Sequence, residues 1–292
     1  MTNAAKLRQV FRQNKTVAVP GAYDVYSALL AQESGFPVVY LGGFSISASL
    51  AAYPDWGLTT MSEMLSVARN AVDILDIPII CDIDQGFGAL TNFTRTIHSY
   101  ENAGVAAVHF EDQPFPKKCS QQKDRQIISI EDATTKIKAA VDTRTDPDFT
   151  LIARTDSKAV EGLDGLKRRM DAYLNAGADY CIFCEQETTD ELIEVAETFP
   201  GRVIAFVGDA TDNPACCLPV SRYEDMGYKA LFYCALGLCA AHHSVSKTYD
   251  LLQTSGHITS EFLQDNLVTL KDVQETAKMN EWQNLRDKYD ML

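Results

Sequence analysis

Asp82 and Asp84 stand two residues apart just after an apolar run, Pro78-Ile79-Ile80-Cys81, and lead into Gln85-Gly86-Phe87-Gly88. Alternation along an extended segment would put both carboxylates on one side, and the glycines would let backbone approach closely. Other apolar runs end in the same manner. Residues 106–110 are followed by Glu111-Asp112-Gln113, residues 149–153 by Arg154 and Asp156, and residues 180–183 by Glu185. Carboxylates gathered at one place repel unless a cation neutralises them. Hard oxygen donors of this kind suit Mg²⁺, with Mn²⁺ as the alternative, a cation that keeps several waters and also grips substrate oxygens. For any single acid, a helix cap or a local ion pair is the plainer role; three acids at strand ends make the metal reading the stronger one.

Eight cysteines are present. Without export signals they read as reduced thiols, most of them in apolar stretches. Cys181 and Cys184 have no companion pair at zinc-finger spacing, so they read as core residues. Cys119 differs, because it follows Lys117 and Lys118 in a polar loop that holds two prolines and three lysines (residues 114–123). Ammonium groups beside a thiol favour its thiolate, which makes Cys119 the cysteine with chemical surroundings; a plain surface thiol is the alternative. The five histidines form no pair at metal-ligand spacing near the acids, His109 reads as a strand residue, and no nucleophile elbow marks a Ser-His-Asp hydrolase.

Something must bring these residues together. Residues 17–19, 37–40, 78–81, 106–110, 149–153, 180–183, 203–206 and 230–233 each fit a strand buried on both faces. Amphipathic segments lie between them, such as the one carrying Met61, Leu65, Ala68 and Val72. Several close on glycine: Gly35, Gly104, Gly177 and Gly227. Eight strand–helix units predict an α/β fold, a parallel (β/α)8 TIM-type barrel, over an open doubly wound sheet. No G-x-G-x-x-G turn follows the first strand, which lowers a dinucleotide site. The barrel is expected over residues 1–255. Residues 256–292 are expected as a helical extension packed on the barrel or swapped onto a neighbouring subunit.

The chain has 292 residues, 46% of them hydrophobic, and a formal net charge of -14. That is the composition of a globular protein and excludes a disordered or fibrous one. The acidic balance argues against nucleic acid and anionic membranes as partners. The apolar stretches are too short or interrupted to span a bilayer, and nothing marks the N-terminus for export, so a cytoplasmic location is expected.

In order along the chain come Tyr40-Leu41-Gly42-Gly43-Phe44-Ser45, Pro54-Asp55-Trp56-Gly57-Leu58-Thr59-Thr60, Asp82 to Gly88, Phe110 to Gln113, Lys117-Lys118-Cys119 and Ala153-Arg154-Thr155-Asp156. Together these resemble the isocitrate lyase and phosphoenolpyruvate mutase superfamily from about Val17 to Ala241. The resemblance implies a Mg²⁺-dependent barrel with a mobile gating loop, acting on a small 2-oxo or 2-hydroxy acid and assembled as a homo-oligomer, a tetramer. It implies that Asp84 holds the metal, with Asp55, Asp82 and Glu111 binding it directly or through waters. Tyr40, Gly42, Gly43 and Phe44 would meet the substrate, the backbone N–H groups of Gly43 and Phe44 facing its oxygens. Arg154 would bind a carboxylate and steady enolate charge, Lys117 would assist as a local cation, and Glu185 would contact substrate.

The superfamily's C–C lyases and hydrolases carry Cys in the gating loop where its mutases carry Asn, so Cys119 points to C–C cleavage, with the thiol as general acid. Four stretches depart from the lyase pattern. The loop reads Lys117-Lys118-Cys119-Ser120-Gln121 without the usual Gly-His, residues 145–149 and 219–227 look more like mutases, and residues 207–219 do not align with the lyases. A phosphonopyruvate mutase or hydrolase acting on a P–C bond is therefore the second reading. An inactive barrel serving as an oligomeric binding protein is the third.

Overall fold

The computed structural model describes residues 1–13, 15–119, 122, 124–185, 188–208 and 217–289. Eight parallel strands close into a barrel in sequence order: β1 (Val17–Ala22), β2 (Val39–Leu41), β3 (Ile79–Asp82), β4 (Ala107–Glu111), β5 (Thr150–Thr155), β6 (Tyr180–Phe183), β7 (Val203–Phe206) and β8 (Ala230–Tyr233). β1 pairs with β8 from Val17↔Ala230 to Pro20↔Tyr233, which seals the cylinder. Each expected strand is present, displaced by a residue or two at its ends at most, except β1, which runs three residues further.

The helices among the described residues are α1 (Asn3–Phe11), α2 (Val25–Glu33), α3 (Gly43–Ala51), α4 (Met61–Ile74), α5 (Leu90–Asn102), α6 (Ile130–Thr143), α7 (Lys158–Asn175), α8 (Thr189–Thr198), α9 (Val220–Met226), α10 (Leu236–Ser255), α11 (Ser260–Asn266), α12 (Leu270–Thr276) and α13 (Met279–Lys288). Their starts are set by side chains that accept the first orphan N–H groups: Asp24 for α2, Thr60 for α4, Ser129 for α6 and Thr188 for α8. Gly104 and Gly177 turn back after α5 and α7 at φ 83° and 110°, a conformation that costs a residue with a Cβ about 1 kcal/mol or more.

Two apolar clusters result from the strand alternation. One fills the space between strands and helices, with Leu41, Ile79, Cys81, Leu151, Phe183 and Leu231 facing out to Leu65, Ile97, Ile137, Met170 and Leu192. The other fills the lumen with Val19, Tyr40, Ile80, Ile152, Ile182, Ile204 and Phe232, and includes Leu7 and Phe11 of α1. Strands packed on both sides are the reason the runs read as continuous apolar stretches. Polar side chains are therefore concentrated where strands end, at one mouth.

The chain divides into two compact units, Met1–Leu238 and Cys239–Leu292. The second holds α11 to α13 and most of α10. Among its described residues none is buried, and Val268, Leu270 and Trp282 are 72%, 84% and 62% exposed. Its helices are fixed locally instead, by Thr259 capping α11 and by the Thr269–Asp272 capping box of α12. No described helix is long and apolar enough to cross a membrane.

Candidate active site at the C-terminal mouth of the barrel

Asp82 is the last residue of β3 and buried. Its Oδ2 accepts from Tyr40 Oη and from Gly43 N–H, both at 3.0 Å, and its Oδ1 accepts from Asp84 N–H at 2.9 Å. The last bond corrects the extended geometry expected for this pair. Asp82 captures the backbone of Asp84, and Asp84 takes a positive φ of 48°, so a tight turn rather than strand alternation keeps the acids adjacent. Gly43 completes the corner. A Cβ there would lie 2.9 Å from Asp84 Oδ1 and 3.0 Å from Asp82 Oδ2, so even alanine crowds the carboxylates.

Glu111 ends β4, and Arg154, opposite it in the β4–β5 register, lies with Nη1 at 3.3 Å from Glu111 Oε2. Arg154 is held from behind by Asp156, which accepts from Nε at 2.7 Å and Nη2 at 3.0 Å, and its guanidinium lies over the Phe206 ring. Lys117 reaches into the same mouth. Its ammonium sits 2.6 Å from Asp55 Oδ1 and 2.5 Å from Asp84 Oδ1, fully surrounded by protein. Asp82, Asp84, Glu111, Asp55, Lys117 and Arg154, expected from the sequence as site residues, are thus linked at the strand ends.

The electrostatics follow from burial. Burial pushes the Glu111 carboxyl above the usual carboxylate range, against the pull of Arg154 and Lys117. Burial also raises Asp84 to about 6, opposed by Lys117 and reinforced by Asp82 and Asp55. Asp82 is buried as well, yet His109, Lys117 and Arg154 hold it well below the usual carboxylate range. The Tyr40 hydroxyl is pushed well above its ordinary value, first by burial and then by Asp82, and stays a donor.

Among the described residues no three His, Cys, Asp or Glu side chains stand close enough to hold a metal together. The donor chemistry nonetheless fits a hard divalent cation: three buried carboxylates, one of which, Glu111, has an Oε1 that is buried and lacks a hydrogen-bond partner among the described residues. Lys117 supplies positive charge at the Asp55 and Asp84 edge of this set.

Cys119 is half-buried two residues beyond Lys117. The two ammonium groups expected to flank it have oxygen partners, Lys117 as above and Lys118 on the Asp124 carbonyl at 3.1 Å. Ser120 and Gln121, where the loop motif departs from the lyases, and 209–216 within the unaligned stretch lie outside the described residues. Gly42 is the N-cap of α3 and packs against the Tyr40 ring; Phe44, 41% exposed, is in the first turn, where its N–H has no intrahelical acceptor. Gly43 N–H, expected to face substrate, donates to Asp82. Glu185 has a positive φ of 67° and forms an ion pair with Arg125.

Three contributors escaped the sequence reading. His109 is fully buried with Nδ1 3.2 Å from Tyr40 Oη, and burial lowers its pKa against the pull of Asp82. Gln113 and Arg125 flank the Cys119 segment and both reach Asp156. The Gln113 signal was available, in the Glu-Asp-Gln run at a strand end; nothing in the sequence singled out Arg125.

A closed parallel barrel that gathers acids, a lysine and an arginine where its strands end is the architecture of a barrel enzyme. The chain belongs to the phosphoenolpyruvate phosphomutase family, in the isocitrate lyase and PEP mutase superfamily, with its residues 7–252 matching that family. It is 35% identical over 289 residues to 2,3-dimethylmalate lyase of Eubacterium barkeri, covering 99% of both chains. It is 34% identical over 283 residues to 2-methylisocitrate lyase of Bacillus subtilis (strain 168), covering 97% of this chain and 91% of that one. The fold superposes with a TM-score of 0.88 on phosphonopyruvate hydrolase solved as a complex with oxalate and Mg²⁺, at 29% identity and 99% coverage of both chains.

Proposed function

We propose that the protein is a Mg²⁺-dependent lyase or hydrolase that cleaves a C–C bond of a 2-oxo or 2-hydroxy dicarboxylate, with Cys119 as general acid. The observation that carries this is the joining of Asp82, Asp84 and Glu111 with Arg154 at one mouth. The similarity to lyases named for dimethylmalate and methylisocitrate supports it.

Asp84 would hold the metal, with Asp55, Asp82 and Glu111 close by, and the metal when bound would polarise the substrate's oxygens and offset developing negative charge. Tyr40, Gly43 N–H and Asp84 N–H keep the Asp82 carboxylate fixed and ionised. As the C–C bond breaks, the oxygen on C2, the substrate's hydroxyl or that of a water added to a 2-oxo group, gives its proton to a neighbouring carboxylate and closes to a carbonyl, and the C–C electron pair passes to the departing carbon next to a carboxylate, giving an enolate. Arg154, aligned by its two-pronged contact with Asp156, binds a carboxylate and spreads that charge without having to reorient. Cys119 then delivers a proton to the carbon, and water kept out during this step would leave the enolate without competing proton donors. Phe44 N–H and Glu185 complete the substrate's surroundings.

A panel of dimethylmalate, methylisocitrate, oxaloacetate and phosphonopyruvate, assayed with Mg²⁺ and then with EDTA, tests the reading. Cleavage of dimethylmalate, methylisocitrate or oxaloacetate is expected, falling at least 100-fold in EDTA and returning on addition of Mg²⁺ or Mn²⁺. Turnover that survives EDTA, or of phosphonopyruvate alone, would overturn it; the latter would establish the P–C reading, which the resemblance to phosphonopyruvate hydrolase favours. The inactive-barrel reading predicts no turnover in any arm.

Assembly as a homotetramer is part of the proposal. The Cys239–Leu292 unit has no buried residue of its own among those described and exposes the large side chains of Tyr249, Leu270, Trp282 and Tyr289. A second copy of this chain, receiving these helices, is the expected cover. Light scattering at micromolar concentration should give about four times the 32.3 kDa chain mass, and a monomer would count against it.

A further inference from the structure

Asp156 is a heavily engaged acid of the mouth, and its partners come from three directions. Besides the two-pronged contact from Arg154, its Oδ2 accepts from Gln113 Nε2 at 2.5 Å and faces Arg125 Nη1 at 3.5 Å. Gln113 precedes the Cys119 segment and Arg125 follows it. Gln113 also grips the backbone of that segment in both senses, donating to the Lys118 carbonyl and accepting from Lys118 N–H, each at 2.9 Å. Arg125 pairs with Glu185 as well, and its guanidinium is 1% exposed. Its three nitrogens make no hydrogen bond of good geometry among the described residues, so the two carboxylates alone offset a buried charge.

The anchor itself cannot drift. Asp156 N–H donates to Asp112 Oδ1 at 3.0 Å, and Asp112 Oδ2 accepts from Thr155 Oγ1 and Tyr173 Oη, both at 2.7 Å. Ile128 N–H donates to the Asp112 carbonyl at 2.8 Å, and Arg169 Nη1 donates to the Ile128 carbonyl at 2.8 Å, tying down the stretch after Arg125.

We propose that Gln113 and Arg125 are positioning residues that clasp the two ends of the Cys119 segment onto Asp156, the same carboxylate that aligns Arg154. One acid then sets the place of the general acid and of the charge-stabilising guanidinium relative to each other. Arg125 does not touch the reacting atoms. It acts by fixing Cys119 and by keeping Glu185 turned over the mouth. The kinetic part of this inference rests on the proposed C–C cleavage, and the placement of Cys119 does not.

The test is the rate at which iodoacetamide alkylates Cys119, followed by peptide mass spectrometry, beside steady-state kinetics. Arg125→Met should speed alkylation of Cys119 at least 10-fold and lower kcat about 30-fold with KM within threefold. Arg125→Lys should restore both to within about threefold of wild type, because a cation still faces Asp156 and Glu185. Gln113→Met, which loosens the other end, should also speed alkylation, and it carries the test if Arg125→Met fails to fold. Alkylation within twofold of wild type in folded Gln113→Met and Arg125→Met would overturn the clasp. Should the wild type cleave none of the panel, the proposed function fails while the alkylation result still decides the clasp.

Discussion

Replacing Cys119 by serine is expected to cut turnover by at least 10³-fold, about 4 kcal/mol of transition-state stabilisation, while oxalate binding in the presence of Mg²⁺ stays within about threefold of wild type. The two side chains differ by one atom, so the segment keeps its path and its contacts through Gln113 and Lys118. What changes is acidity: a hydroxyl is a far weaker proton donor than a thiol, and protonating an enolate carbon demands a donor matched to the working pH. Single-turnover kinetics would separate the steps, with bond cleavage retained or slowed modestly and release of the protonated product blocked. Near-normal turnover in Cys119→Ser would remove the general acid from Cys119.

Asp84→Ala should raise the Mg²⁺ dissociation constant at least 100-fold by calorimetry and abolish activity. Asp84 is the acid at the centre of the donor set, with Asp82 bound to its N–H, Gly43 packed against its oxygens and Lys117 against Oδ1. Removing one partner of a buried ion pair destabilises a protein by roughly 3–5 kcal/mol, but Lys117 keeps Asp55 at 2.6 Å, so the loss should be at the low end and the variant should fold. Asp84→Asn is the control that preserves shape, and it should lose metal nearly as severely. A Mg²⁺ affinity within threefold of wild type in both variants would move the metal away from Asp84.

The barrel was legible because its determinants are local. Val203-Ile204-Ala205-Phe206 must be a strand buried on two sides, and Gly104 or Gly177 must end a helix. The order of acids at strand ends followed directly. What stayed hidden depends on chain path. Asp84 kept its place beside Asp82 through a backbone turn that no spacing rule encodes. Lys117 was expected as a cation near the substrate, but its contact with Asp55 and Asp84 depends on how a proline-containing loop crosses the mouth. His109, set aside as a strand residue, lies against Tyr40 because strand alternation turns it into the lumen, a distinction that needs the barrel's closure and not merely the strand. The Arg125 contact with Glu185 links residues 60 positions apart, one in the loop after β4 and the other just past β6, beyond the reach of any local pattern.

The seam between β1 and β8 has a consequence for synthesis. Val17 pairs with Ala230, so the first strand waits for nearly the whole barrel to be made before its outer edge is covered. At ribosomal speeds of about 5–20 residues per second, that wait is roughly 10–40 s. During it the nascent sheet has two raw edges, one at β1 and one that advances with each new strand, each a template for pairing with another chain. Crowded polysomes translating this message are thus the setting in which the protein is most exposed to aggregation, and demand for chaperones should fall abruptly once the eighth strand leaves the exit tunnel.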